Sequence, residues 1–457
     1  MGNSLFDFVK NIFKRRTILP PKSSIRRGDA LLFATWLFIL FTVLSGAVRK
    51  WVTGPGALGN VIFLVQLLLP FIFYLFISKR KANPKFTAPS MFFIFIVYVI
   101  IAALNPLNKT LYHGLFGIVI HLGFWVCWLA YYQTRPIFEI EKFTNLFILI
   151  LIGEVVLASL QSALPGGHFL NRFATGEENN TVLGKAIRVA GTFSYLGGFQ
   201  AWVTFNGFFI WFLLVRRLPS IIILVVFALS LYAGLVSGAR GAVGLLLMIS
   251  LFGLLYSGYF IKRFINLSLG LVLMTIIILF LGGSFVSKFS TAYTNFQSRI
   301  TTAGQGELEA RIVGSLVEVL EFQGEYPVYG IGLGSTYQGA ISLFGASDYL
   351  KEYGYYESEG GRIVLEGGFI LFFLRVILFI VMIRYSYVPP LGKIFLFILF
   401  INSMIVFNTY LSVFFILGMI FVDRAYYLKG VDEGQRKIRL KEFQANQVKV
   451  QGNGNIQ

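Results

Sequence analysis

Residues 196–215 read LGGFQAWVTFNGFFIWFLLV, twenty in a row without a charged side chain. A helix of about 20 largely apolar residues crosses the hydrocarbon core of a bilayer, so this stretch predicts a membrane span. The same criterion places further helices near 30–47, 58–77, 89–104, 111–131, 143–163, 218–236, 242–260, 264–281, 363–383, 393–407 and 409–424. The last two are short and could form one span instead. The expected fold is an all-α polytopic membrane protein of about 12 transmembrane helices. A long interruption, 282–362, falls between the ninth and tenth and predicts a large extracytoplasmic loop domain. A basic segment, 1–29, precedes the first helix. The tail, 425–457, rich in Lys, Gln, Asn and Gly, reads as disordered.

Composition points the same way. Hydrophobic residues make up 56% of the chain and charged residues 13%, the balance of a membrane protein rather than a soluble one. Cys127, the single cysteine, lies in an apolar run, which excludes a disulfide framework. His113, His121 and His168 lack zinc-ligand spacing, so neither a metal nor another cofactor is expected. The basic N-terminus has no short apolar core with a cleavage site, and no signal peptide is expected. The net charge of +18 sits largely at the two ends, with Lys14, Arg15 and Arg16 before the first span and Arg436, Lys437 and Arg439 after the last. Such clusters orient a membrane protein against an anionic inner leaflet; the lipid bilayer is the expected partner and nucleic acid is not. With both termini in the cytoplasm, the inner segments take most of the 39 Lys and Arg, as the positive-inside rule requires.

The predicted outer side carries the candidate chemistry. The long loop holds close to half of the 21 acidic residues, together with Arg311 and Arg362. Ionisable groups beside hydrocarbon are costly unless paired or used. Arg240 stands in a tight turn, Ser237-Gly238-Ala239-Arg240-Gly241, whose small neighbours admit a bulky anion; it either grips a diphosphate or marks the interface by snorkelling. Arg49-Lys50-Trp51 puts two cations on the outer side against the charge rule, consistent with anionic headgroup binding or anchoring. The loop 164–195 contains His168, Arg172, Lys185 and Arg188 with Glu177 and Glu178; His168 is a candidate base or a solvated loop residue. Glu154, mid-helix, is either polar glue or the central residue of a transporter. Glu359, Arg362 and Glu366 share one helix face by their spacing, a candidate base with its orienting cation.

Three pieces in order carry a family resemblance: Gly191-Thr192-Phe193, Ser237-Gly238-Ala239-Arg240-Gly241, and the long loop with Pro327-Val328-Tyr329-Gly330-Ile331-Gly332-Leu333-Gly334 and its terminal Leu365-Glu366-Gly367-Gly368. Over roughly 190–385 the chain resembles the O-antigen polymerase and ligase superfamily of bacterial membrane glycosyltransferases. The resemblance implies a metal-independent inverting transferase in the cytoplasmic membrane that uses an undecaprenyl-diphosphate-linked oligosaccharide on the outer face, with a chain-length regulator as a further partner. It implies that outer-loop arginines hold the donor diphosphate, with Arg240 at the matching position; the residues themselves add Arg188, Arg311, Arg49 and Arg362 as further candidate donor contacts and Glu359, His168 and Glu366 as candidate catalytic groups. The His-Asn pair of ligases is replaced here by Glu357-Ser358-Glu359, which favours a polymerase building O-antigen, capsule or exopolysaccharide. The alternatives are a ligase acting on a lipid core and, in a different class, a lipid-linked oligosaccharide flippase.

Overall fold

In the computed structural model, eight helices among the described residues are long and apolar enough to cross a membrane, and three shorter apolar helices stand among them. The structure describes residues 22–78, 87–179, 182–183, 186–257, 326–353, 359–403 and 409–453, with isolated positions between 265 and 321. The predicted span at 264–281, all but one position, and the loop from 282 to 325, apart from a few residues, lie outside the described residues. In chain order the helices are α1 (Lys22–Ala47), α2 (Ala57–Ser78), α3 (Ser90–Ala103), α4 (Leu111–Thr134), α5 (Thr144–Ala163), α6 (Leu196–Val215), α7 (Ser220–Ser237), α8 (Arg240–Tyr256), α9 (Gln338–Phe344), α10 (Asp348–Tyr353), α11 (Glu359–Ile383), α12 (Pro390–Ser403) and α13 (Thr409–Asn453). A two-stranded antiparallel hairpin, Val182–Leu183 with Ala186–Ile187, decorates the loop before α6.

The helix that the opening stretch encodes is the hub. A helix apolar on every face is buried on every face, and α6 packs against α7, α8 and α13. Trp202, Phe205, Phe209 and Phe212 are all buried and form an aromatic ladder. Trp202 stacks on Phe147 of α5 at 6.0 Å, and Phe212 meets Phe421 of α13 edge-on at 4.9 Å. Bare backbone at Gly253 lets α8 close on α6, since a Cβ there would come within 2.8 Å of the Trp211 backbone. On α1, Thr35 and Thr42 return their hydroxyls to the carbonyls four residues back, at 2.8 Å each, so neither polar group is left open to hydrocarbon.

Four local readings change. The chain leaves α1 through a π-helical turn, Val48–Thr53, which widens the helix and carries Arg49 and Lys50 toward the neighbouring segments instead of leaving them in an open turn. Arg240 begins α8 rather than standing in the turn before it. Gly238, in the left-handed region, closes α7, and the Ala239 N–H donates to Ser237 Oγ, so the next helix starts at once. The span predicted at 363–383 starts at Glu359 and is broken at Gly368, whose φ of 67° only glycine adopts readily. Its Cα lies against the Val328 carbonyl, where a side chain would collide. Finally, the segment predicted as a disordered tail is helical over its described residues, since α13 continues unbroken to Asn453. The last two apolar stretches are separate helices, α12 and α13.

One end of the bundle is tied by charge. Asp423 of α13 accepts from Tyr131 Oη at 2.6 Å, from Ser386 Oγ at 2.7 Å and from the Tyr387 N–H. Its neighbour Arg424 turns the other way, with two bonds of 3.0 Å to Glu141 and one of 2.7 Å to the Arg135 carbonyl. Arg135 donates to the Tyr385 carbonyl at 2.7 Å and lies over the Tyr132 and Tyr387 rings. Thus α13 joins the α4–α5 turn to the α11–α12 turn.

Candidate active site at the opposite end of the bundle

At the other end, the C-terminal ends of α1, α3 and α7 and the N-terminal ends of α4, α6 and α13 meet the loops that precede α6 and α11. The segment Gly191–Ser194 is the first element to be fixed there, and buried polar groups fix it. Gln161 accepts from the Gly191 N–H at 2.9 Å and donates to the Gly191 carbonyl at 3.1 Å. Lys50 Nζ donates to that same carbonyl. Both oxygens of Glu154 are engaged by Thr192, one by its N–H at 3.1 Å and the other by its hydroxyl. Glu154 and Lys50 are both buried, and each lies within electrostatic reach of the other. Glu154 therefore anchors a loop, with both carboxylate oxygens engaged by Thr192.

The anchored segment presents Ser194. Arg49 Nη1 donates to Ser194 Oγ at 3.1 Å, and Ser194 Oγ also lies 3.0 Å from Tyr410 Oη at the start of α13. The Arg49 guanidinium sits 4.9 Å from the centre of the Phe63 ring. Tyr195, Tyr337 and Tyr410, from three distant parts of the chain, all lie within electrostatic reach of it. Arg188, three residues before Gly191, donates from Nε to the Ser237 carbonyl at 3.2 Å. That carbonyl closes α7, and Arg240 begins α8 three residues later. Two of the predicted arginines are thus carried to one turn. Arg240 occupies a helix N-terminus, where the dipole is already positive; a cation there adds to a field that favours an anion.

The second part of the site is the glycine turn before α9. Here Glu366 is the organiser. Its Oε1 accepts from the Thr336 N–H at 2.8 Å and hydroxyl at 2.7 Å, and its Oε2 accepts from the Gly334 N–H and from His121 Nε2, both at 2.9 Å. The backbone adds Ile331 N–H to the Leu365 carbonyl at 2.8 Å and Gly332 N–H to the Glu366 carbonyl at 3.0 Å. Asn105 and Asn108, after α3, donate to the Gly330 and Leu333 carbonyls at 2.9 and 3.1 Å. Glu366 was a candidate base; with 0% exposure and four donors, it instead holds the turn in place. Glu359, at the start of α11, differs. One of its carboxylate oxygens, Oε2, is buried without a hydrogen bond, and Arg362, Arg375 and Glu366 lie within electrostatic reach.

The remaining predictions separate. His168 is placed as a local cap: its Nδ1 accepts from the Leu170 N–H at 3.3 Å and its ring lies against Phe169, so it braces its own loop. Arg311 lies outside the described residues. Sequence reasoning passed over His121 and Arg375, which connect to Glu366 across the bundle interior. Arg375 Nη1 reaches His121 Nδ1 at 3.1 Å. The available signal was that three ionisable residues, His121, Glu366 and Arg375, all fall inside predicted spans, which calls for a mutual partner. No protein-family model, curated protein or solved structure matches this chain.

Proposed function

We propose that the chain is a polysaccharide polymerase that joins undecaprenyl-diphosphate-linked repeat units at the extracytoplasmic end of a bundle of about 12 spans in the bacterial cytoplasmic membrane. The observation that carries this reading is the placement of Arg188 on the carbonyl that ends α7, beside Arg240 at the start of α8. It brings Arg188, three residues before the segment anchored at Gly191, to the turn from which the N-terminus of α8 and Arg240 follow. Guanidinium groups match phosphate oxygens in planar pairs, and a diphosphate so neutralised is a good leaving group. Glu359, with an unengaged carboxylate oxygen near Arg362, is the best placed base. In the reaction it takes the proton of the acceptor hydroxyl, whose oxygen attacks the anomeric carbon from the side opposite the diphosphate. The bond to the diphosphate breaks, lipid diphosphate departs with the electron pair, and the proton passes from Glu359 to water.

The test uses the full chain in liposomes with a synthetic lipid-linked repeat unit. The reading expects a ladder of products from the native chain, no ladder from Arg240→Ala, and a fall of about 10²–10⁴ in rate for Glu359→Gln, the usual contribution of a positioned base. Products of normal length from a well-assembled Arg240→Ala protein would remove Arg240 from the donor site. Lipid diphosphate released with one transfer and no ladder would indicate a ligase.

A further inference from the structure

A buried line of contacts leads from the middle of α11 to the proposed donor site. Arg375 is 1% and His121 0% exposed, and Arg375 also lies over the Trp125 ring at 5.8 Å. An arginine only donates, so His121 Nδ1 accepts from it, and Nε2 then carries the hydrogen that His121 gives to Glu366. The imidazole is held as the one tautomer that links a donor on one side to an acceptor on the other. Glu366 passes the constraint to the Gly334 and Thr336 N–H groups and the Thr336 hydroxyl. Tyr337 follows Thr336 directly, packs its ring 5.5 Å from Phe116 and lies within electrostatic reach of Arg49. Arg375 also acts on Glu359, so one cation faces both carboxylates across the break at Gly368.

We propose that Arg375 and His121 are positioning residues: through Glu366 they seat the Gly330–Thr336 turn, and with it Tyr337 on Phe116, on the side of the bundle that carries Arg49. Neither touches substrate. The kinetic consequence rests on the polymerase reading, whereas the seating itself does not. His121 is buried inside the bundle and bonded on both ring nitrogens, so its loss unseats the turn without removing a group from the chemistry. Donor affinity should suffer more than turnover.

A thiol at Ser335 reports the seating. Ser335 is 0% exposed within the turn, cysteine is close to it in size, and the chain's own Cys127 is buried. In the full chain in liposomes, Ser335→Cys should resist a charged maleimide, and adding His121→Phe should speed its labelling about tenfold, as expected for loss of a bond to a charged group. Donor KM should rise about tenfold while kcat stays within about threefold. His121→Gln, whose amide can accept from Arg375 and donate to Glu366, should restore both. If His121→Phe does not assemble, Thr336→Val, which removes one donor to the same carboxylate, is read by the same two measurements. Continued protection of the thiol in His121→Phe, or His121→Gln as defective as His121→Phe in both readouts, would overturn the proposal. Absence of any ladder from the native chain would refute the polymerase reading, while the labelling would still decide the seating.

Discussion

Replacing Glu366 with glutamine separates a structural role from a chemical one, because the side chain keeps its shape and loses one acceptor atom. Each carboxylate oxygen receives two donors. If the new amide nitrogen takes the Oε2 place, it opposes the Gly334 N–H and the His121 Nε2–H. If it takes the Oε1 place, the Thr336 hydroxyl can rotate and accept, but the Thr336 N–H is left without a partner. The second arrangement is the better one. It leaves one buried donor unmet, at about 1–3 kcal/mol, and the two surviving bonds lose their charge assistance, for a total of about 2–5 kcal/mol. Arg375 also loses a nearby opposite charge, which pushes toward the upper end. Thermal unfolding of the purified chain in detergent should therefore shift down by several degrees, and a Ser335→Cys thiol should become accessible in the folded range. Glu366→Leu should be worse. A Glu366→Gln protein with native stability and a protected thiol, yet no activity, would refute this reasoning and return Glu366 to the list of bases.

Gly368→Ala should abolish the assembled protein, since it requires a left-handed residue against the Val328 carbonyl; Gly244→Ala, where an added Cβ meets nothing within 4 Å, should be neutral or stabilise by about 0.5–1 kcal/mol as a helix interior position. Yields from size-exclusion profiles compare them directly, and equal yields would contradict the break in α11. His168→Ala should cost about 1 kcal/mol, the usual loss of a cap, and leave polymer synthesis within about threefold, whereas a drop of a hundredfold would mark His168 as the base. A double-mutant cycle on Arg424 and Glu141 should give a coupling of about 1–3 kcal/mol, given the two-point contact and the partly open Glu141 side; additive single effects would show that this pair ties nothing.

The helices were readable because the bilayer imposes a length on apolar runs, a signal that lies along the chain itself. The segments at 196–215 and 218–236 match α6 and α7 closely for this reason. The break in α11 was not readable: a Gly-Gly pair within an apolar run is common in spans, and what makes Gly368 turn is a carbonyl forty residues earlier, Val328. The helical continuation of α13 was masked by composition, although Asp432 and Arg436, and Glu433 and Lys437, stand four apart as helix-supporting pairs do. Among candidate residues, Arg188 and Arg240 were singled out because each stands in a predicted outer loop, and the structure adds that Arg188 bonds the carbonyl ending α7, three residues before Arg240. His121 was judged for zinc spacing alone. Its partners lie 245 and 254 residues away, a separation at which one sequence gives no pairing information. His168 stayed open between base and loop residue, because its bond to the Leu170 N–H two residues on is a local geometry that spacing alone does not reveal.

Asp423 and Arg424 stand side by side on α13 and face opposite partners, which has a consequence for how the protein is made. The ribosome emits this helix after the segments it joins, so Glu141, Arg135 and the Ser386–Tyr387 corner must wait in the lipid with incomplete charge and hydrogen-bond partners until it inserts. Assembly then cannot finish piecemeal from the front. A nascent chain stopped before residue 423 would hold all the earlier helices and still present a gap at their shared end, the kind of fault by which a membrane quality-control protease tells an orphan from a finished product.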